Sequence, residues 1–290
     1  MAMPVQNGKL YVVATPIGNL SDISHRALEI LQSVDLIAAE DTRHIRQLMQ
    51  RYGITNKLTS LHQHNEAEAS KILIKKLQQG LSIALVSDAG TPLISDPGLP
   101  LIKLAHQAEI IVSPIPGACA LIAALSASGL PVSRFMFDGF LPRTSSARKS
   151  FFQDKLDYPY TWVVYESSHR IQAAMNDMAE TLPARRPIVI ARELTKMYET
   201  IANTTISQAV ELFEQDKNML RGEFVIIVAG AETEDKNKDI SVEHEKLLRT
   251  LLKECSIKSA VAIAVELTGL KKRTLYQTAL KLADSMQQRP

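Results

Sequence analysis

Four carboxylates in this sequence stand where an apolar run breaks off. Glu40 and Asp41 follow the run 35–39, Glu166 follows the run 160–165, and Glu193 follows the run 187–191 with one arginine between. Three cations share those positions: Arg43, Arg192 and Lys196. A carboxylate in a crevice can take up a substrate proton, and a guanidinium or ammonium beside it can hold an anion. Arg192-Glu-Leu-Thr-Lys196, followed by Tyr198-Glu199, concentrates such groups. For any one of them a second reading stands equally: a salt bridge holding two parts of the chain together. His62-Gln-His64 would set two imidazoles on one strand face. No third ligand is spaced nearby, so hydrogen bonding is the better reading and no metal site is expected.

Such groups need elements to aim them. The stretch Ser87-Asp-Ala-Gly-Thr-Pro-Leu-Ile-Ser-Asp-Pro-Gly98 lies between an apolar strand at 83–86 and a helix at 99–107. Two glycines, two prolines and two aspartates in twelve residues propagate neither a helix nor a strand. They bring bare backbone up to a ligand at a strand's carboxyl end, where open α/β sheets bind their ligands. Thr15-Pro-Ile-Gly18 and Ser113-Pro-Ile-Pro-Gly117 leave two further strands, at 10–14 and 110–112, in the same manner. Helices are expected at 24–33, 44–52, 66–79 and 118–128, with strands at 35–39 and 58–61. Strands alternating with helices predict a parallel sheet covered on both faces, with all three loops at one edge.

The rest of the chain divides by composition. A strand at 135–140 closes the first α/β domain, 1–140. A linker at 141–150, carrying Arg143, Arg148 and Lys149 and no acid, opens the second, 141–232, with strands at 160–165, 187–191 and 223–229 and helices at 168–181 and 207–216. Residues 233–290 form a polar linker, 235–239, and a helical end. Residues 232–245 hold six acids against two lysines, whereas 246–281 hold eight basic residues against two acids. A helix ending at Gly269 and a second one opening with Lys271, Lys272 and Arg273 resemble a helix-turn-helix, with a plain helical cap as the other reading. With 46% apolar but 5% aromatic residues the core must be aliphatic and alanine-rich. Cys119 and Cys255 suggest neither a disulfide framework nor a metal cluster. No apolar run of about 18 residues exists to span a bilayer, so no membrane partner is expected and a reducing cytoplasm is the natural setting. The phosphate-binding patterns G-x-G-x-x-G and G-x-x-x-x-G-K-[ST] are absent.

Leu10-Tyr-Val-Val-Ala-Thr-Pro-Ile-Gly-Asn-Leu20, Ala39-Glu-Asp-Thr-Arg43, the 87–98 stretch and Pro114-Ile-Pro-Gly117, taken in order, resemble the tetrapyrrole methylase superfamily. Phe140-Leu-Pro-Arg143, Tyr165-Glu166, His169-Arg170 and Arg192-Glu-Leu-Thr-Lys196 are similar to signatures of the branch that methylates a cytidine ribose 2′-hydroxyl in 16S ribosomal RNA of the small subunit. The resemblance covers about residues 8–230, and the helical end is similar to that branch's C-terminal extension. It implies two consecutive α/β domains with S-adenosyl-L-methionine in the cleft between them, a small C-terminal helix-turn-helix-like domain, and a homodimer.

Carried over residue by residue, the resemblance implies cofactor contacts from Thr15, Pro16 and Gly18, from Asp88, Ala89, Gly90 and Thr91, and from Ser113, Gly117, Ala118 and Cys119. Both leading loops depart from the wider superfamily, since Pro-Ile-Gly replaces a fuller glycine motif and the Gly-Asp pair is absent as such. Glu40, Asp41, Glu166 and Glu193 are then candidate bases for a ribose hydroxyl. Lys196, Arg192 and Arg43 suit neighbouring phosphates or polarisation of that hydroxyl. Arg43, Arg143, Arg148, Lys149, Arg192, Lys271, Lys272 and Arg273 are the expected grip on the RNA, whether free or within the 30S subunit. Two other readings compete: a methylase acting on a tetrapyrrole, and a non-catalytic helix-turn-helix DNA-binding regulator whose α/β body senses a metabolite.

Overall fold

A computed structural model of the chain describes residues 7–231, 240 and 242–287. The polar linker expected at 235–239 lies outside the described residues. The first sheet takes its strands from β1 (Lys9–Val13), β2 (Leu36–Ala39), β3 (Lys57–Ser60), β4 (Ile83–Val86) and β5 (Ile111–Ile115). Between them run α1 (His25–Ser33), α2 (Thr42–Arg51), α3 (Glu66–Gln78) and α4 (Leu99–Gln107), and α5 (Ala120–Ser128) follows. The strand order is β3-β2-β4-β1-β5 and all four pairings are parallel. Central β4 shows why an unbroken apolar run marks such a strand. Its Ile83 and Leu85 join Leu73, Leu77 and Leu101 of α3 and α4 on one face, while Ala84 and Val86 join Leu31, Ile45 and Leu48 of α1 and α2 on the other.

One expectation for this sheet changes. Ser113 and Pro114, read as loop, lie within β5, where they pair with Tyr11 and Val12 of β1. A proline is tolerated there because β5 is an edge strand.

The second sheet comprises β6 (Phe135–Phe140), β7 (Thr161–Ser167), β8 (Pro187–Arg192), β9 (Thr200–Thr205) and β10 (Glu223–Val228), in the order β6-β7-β10-β8-β9. Helices α6 (Ser145–Asp154), α7 (Ile171–Thr181) and α8 (Ile206–Gln215) cover one face through Phe152, Met175, Met178 and Phe213. This sheet is mixed, not parallel: β10 runs antiparallel to β7 and β8, and β9 antiparallel to β8. Residues 135–140, expected to close the first α/β domain, instead pair with β7 in the second sheet. Strand β9 carries only two apolar residues in Thr-Ile-Ala-Asn-Thr-Thr, because an edge strand has a solvated side and shows no apolar run. The expected linker is largely α6, which starts where the Thr144 side chain accepts a hydrogen bond from the Ala147 amide.

Helix α5 joins the two sheets. It follows the first in the chain, yet its Leu121, Ala124 and Leu125 pack on Val163, Val189, Val225 and Ile227 of the second. Residues 1–229 accordingly form one compact unit. The remainder forms another, with α9 (Val242–Glu254), α10 (Ile257–Thr268) and α11 (Lys272–Gln287). Its own core is Leu248, Val261, Ala264, Leu270, Leu275, Ala279 and Leu282. The Ser256 side chain caps the start of α10, and Gly269, at φ +66°, ends it in the left-handed conformation that glycine adopts without steric cost.

Candidate active site

The strand-end loops of the first sheet are stitched together by main chain. Thr15 N–H donates to the Gly90 carbonyl at 2.8 Å, and Gly90 N–H returns a bond to the Thr15 carbonyl at 3.0 Å. The Thr91 hydroxyl donates to the Ala118 carbonyl at 3.0 Å, tying in the segment that enters α5. These loops face the second sheet across a cavity of about 460 Å³. One wall is Glu40, residues 88–91, 94–96, Cys119 and Ala120; the other is Tyr165, Glu166, Ser167, Ala191, Leu194, Lys196 and residues 223–225. Ile17 and Phe140 complete the lining. This volume suits one cofactor-sized molecule, since small-molecule sites span about 300–1,000 Å³.

Of the loop residues expected to touch a cofactor, Asp88, Ala89, Gly90, Thr91 and Cys119 line the cavity. Gly90 sits at φ +82°, and a side chain there would press on Ile17 Cγ2 at 3.2 Å, so glycine keeps this wall open. Thr15 and Pro16 are buried behind that wall, and Ser113 lies within β5. Gly18 packs against Lys196, where a Cβ would fall 2.5 Å from its Cγ, and at Gly117 a Cβ would fall 2.9 Å from that of Ala14. These residues shape the site without lining it.

The expected catalytic residues separate in the same way. Glu40, Glu166 and Lys196 line the cavity. Asp41 does not: it caps α2, accepting from the Arg43 amide at 2.8 Å and pairing with the Arg43 guanidinium at 2.6 Å, which holds its carboxyl far below the usual range. Glu193 also lies off the lining and anchors Lys196, whose ammonium sits 2.9 Å from Glu193 Oε1 and 2.6 Å from Glu223 Oε2. Burial pushes the Glu193 carboxyl up, but the Lys196 hydrogen bond and the Glu223 amide outweigh it and leave the group below its ordinary value. Glu166 is buried, accepts from the Ser167 amide at 2.8 Å and lies 3.0 Å from the Arg170 guanidinium; burial still leaves its pKa raised. Burial first, and then the Asp88 charge, raise Glu40.

Two cations expected to meet RNA are buried and bonded internally, and a third, Lys149, lies in a surface ion pair. Arg148 is 5% exposed and pairs with Asp177 at 2.6 Å, while also donating to the carbonyls of Pro142 and Arg143. Lys149 pairs with Glu180 at 2.5 Å. Arg192 is 8% exposed and donates to the carbonyls of Arg221, Tyr198 and Asn218. Exposure sorts the expected cations: Arg43, Arg143, Lys271, Lys272 and Arg273 face solvent. The linker holds no acid, but Asp177 and Glu180 of α7 supply the partners of Arg148 and Lys149.

Sequence reasoning gave no role to several lining residues, Tyr165, Asp96 and Glu223 among them. Tyr165 accepts from the Leu121 amide at 3.1 Å, and Phe137 and Phe140 pack edge-on against its ring, at 4.9 and 5.6 Å between centroids. Asp96 lies in the central stretch, and its signal was the Asp-Pro pair of that motif.

The family of tetrapyrrole (corrin/porphyrin) methylases matches residues 9–210 of this chain. The ribosomal RNA small subunit methyltransferase I of Haemophilus influenzae is 50% identical over 273 residues, 94% of this chain and 96% of that protein. This chain belongs to that branch of the tetrapyrrole methylase family. The protein of the same name from Pseudomonas aeruginosa is 47% identical over 94% of this chain and 97% of its own length. Residues 238–283 match the C-terminal helix-turn-helix domain of the branch. Solved structures at low identity share the family fold. The methyltransferase CobJ superposes at a TM-score of 0.57 with 18% identity, covering 77% of this chain and 95% of its own. A uroporphyrin-III C-methyltransferase from Thermus thermophilus, complexed with S-adenosylhomocysteine, superposes at 0.52 with 15% identity, covering 77% and 97%.

Proposed function

We propose that this chain, an S-adenosylmethionine-dependent methyltransferase of small-subunit ribosomal RNA, places its methyl group on the ribose 2′-oxygen of a cytidine, works as a homodimer and acts in the cytoplasm. The observation that carries the reading is one cavity walled by the strand-end loops of the first sheet and by β7, β8 and β10 of the second, in a chain half identical to a curated relative of that name. Among the described residues no helix is long and apolar enough to cross a membrane, which fits an RNA-directed enzyme.

The cofactor, when bound, supplies a methyl group already activated on a sulfonium sulfur. The protein must orient and enclose. The backbone of residues 88–91, held rigid by the Thr15–Gly90 pair and the Thr91–Ala118 bond, offers a surface for that donor. Leu194, Ala191, Val225 and Phe224 give the opposite wall an apolar lining that displaces water. Alignment of this kind supplies about 7–11 kcal/mol of a barrier. Lys196, fixed between Glu193 and Glu223, presents a cation at the cavity where a nucleotide's phosphate or hydroxyl would enter.

Purified protein is incubated with methyl-labelled S-adenosylmethionine and, in separate arms, assembled 30S subunits, naked 16S ribosomal RNA and uroporphyrinogen III. Label in RNA at an alkali-resistant dinucleotide marks 2′-O-methylation. Label in the macrocycle, or in no acceptor, refutes the reading.

A further inference from the structure

Between β8 and β9 the chain turns at residues 193–199, and its backbone there is pinned from several sides. Glu193 and Thr195 sit at φ +51° and +65°, a left-handed conformation unfavourable for residues with side chains. The Glu193 amide donates to the Glu223 carbonyl at 3.0 Å, and the Thr195 amide donates to Glu199 Oε2 at 2.6 Å. The Thr195 hydroxyl oxygen accepts from the Asn19 amide at 3.1 Å, and the buried Arg192 guanidinium holds the Tyr198 carbonyl at 3.3 Å. Such conformers persist where the surroundings enforce them, and they gather at active sites and ligand clamps.

Two large side chains on this fixed turn are nonetheless left in water. Met197 is 89% exposed, the highest value of any large apolar side chain among the described residues, and Tyr198 is 68% exposed. Folding gains little from either, since stabilisation follows the apolar area removed from water. Met197 lines an open groove together with residues 18–21, Arg51, Thr195 and Lys196. Lys196 lines the cavity as well, so groove and cavity adjoin at its side chain. The segment 18–21 is held in turn, because the Tyr52 hydroxyl donates to the Leu20 carbonyl at 2.8 Å.

The lining of the groove carries two cations, Arg51 and Lys196, and no carboxylate. Cations beside exposed sulfur and aromatic side chains match a single-stranded nucleotide, whose phosphate is an anion and whose base presents a π-face. Methionine suits that face, because its sulfur is polarisable and makes favourable contacts with aromatic rings. We propose that this groove seats the nucleotide next to the methylated one, with its base against Met197 and Tyr198 and its phosphates at Lys196 and Arg51. The assignment rests on reading the cavity as the site of ribose methylation. A platform already rigid loses little freedom when RNA binds, so it can hold the neighbouring ribose in line with the methyl donor.

The test is steady-state methylation of 30S subunits at saturating S-adenosylmethionine, with S-adenosylhomocysteine affinity measured alongside. Tyr198→Ala should lower kcat/KM for the subunit by about tenfold or more, mainly through KM, with cofactor affinity within about threefold of wild type. Met197→Ala should act in the same direction by about threefold. Tyr198→Trp keeps an aromatic face and should restore kcat/KM to within about threefold of wild type. In binding to 16S ribosomal RNA, Arg51→Gln should reduce the slope of log affinity against log salt by about 1, whereas Tyr198→Ala should leave the slope unchanged. The proposal is overturned if either alanine variant keeps the wild-type kcat/KM, if Tyr198→Ala loses cofactor affinity in the same proportion, or if Tyr198→Trp brings no recovery. An unchanged salt slope in Arg51→Gln overturns it too. So does a changed sedimentation coefficient of free Tyr198→Ala protein, which would make the turn a contact between copies of the chain. Wild-type protein that binds cofactor but labels no ribosomal RNA is a different failure, that of the functional reading itself.

Discussion

Asp96 and Arg148 show opposite fates of a charge taken wholly or partly out of water. Asp96 has its pKa raised to about 6 from an ordinary 3.8, so the folded protein holds that proton more tightly than the unfolded chain. Its contribution to stability is complete below the unfolded pKa and is lost as pH rises through about 6. Asp96→Asn should therefore stabilise the protein at pH 8 by about 1–2 kcal/mol, after discounting for solvent screening, and by almost nothing below pH 4. Melting curves at the two pH values check this, and an equal shift at both contradicts it. Arg148 instead closes a buried pair with Asp177, whose carboxylate also takes the Ser145 hydroxyl at 2.6 Å. Arg148→Ala leaves that carboxylate buried without its guanidinium and should cost about 3–5 kcal/mol, read by denaturant titration. A loss below about 1 kcal/mol would return Arg148 to the surface cations.

Among the elements of the α/β unit, α2 has an exposed side that suits a polyanion. Ile45, Leu48 and Met49 are buried, while Arg43, Arg46, Gln47, Gln50 and Arg51 are exposed, a division that follows the 3.6-residue period. Residues 42–51 contain no acid, and the helix begins at the cavity rim, where the Asp41 amide and His44 both reach Asp88. The double variant Arg46→Glu, Arg51→Glu should weaken ribosomal RNA binding and reduce the slope of log affinity against log salt by about 2, the worth of two phosphate contacts. Calorimetry with S-adenosylhomocysteine should show no change. An unchanged salt slope would remove α2 from the RNA path.

At the scale of the molecule, each of the two units closes its own core. Sheets and helices of residues 1–229 bury both faces of each sheet, and the helical unit buries Leu248, Val261 and Leu275 among its own helices. The helical unit also displays Lys271, Lys272 and Arg273 to solvent. A chain ending at Ala229 should keep cofactor affinity within about threefold yet lose about tenfold or more in RNA affinity at moderate salt, since each phosphate contact adds to the salt-dependent part of binding. Equal loss of both affinities would show that the units do not divide the work.

Much of this was legible in one dimension. The strand before each Pro-Gly loop, the parallel first sheet and the meeting of loops around Gly90 and Thr91 follow from local signals: apolar runs, and residues that stop them. The stop of α10 at Gly269 is equally local. What the chain could not declare locally was partnership. Whether Arg148 and Arg192 meet solvent or an internal acceptor depends on α7 and on the carbonyls near Arg221, which are distant in sequence. The assignment of β6 to the second sheet and the packing of α5 across it are likewise long-range choices. Residue type and spacing determined which groups can do chemistry here. Only tertiary packing decided which of them pair with one another and which face the cavity, because desolvation and pairing act through space and not along the chain.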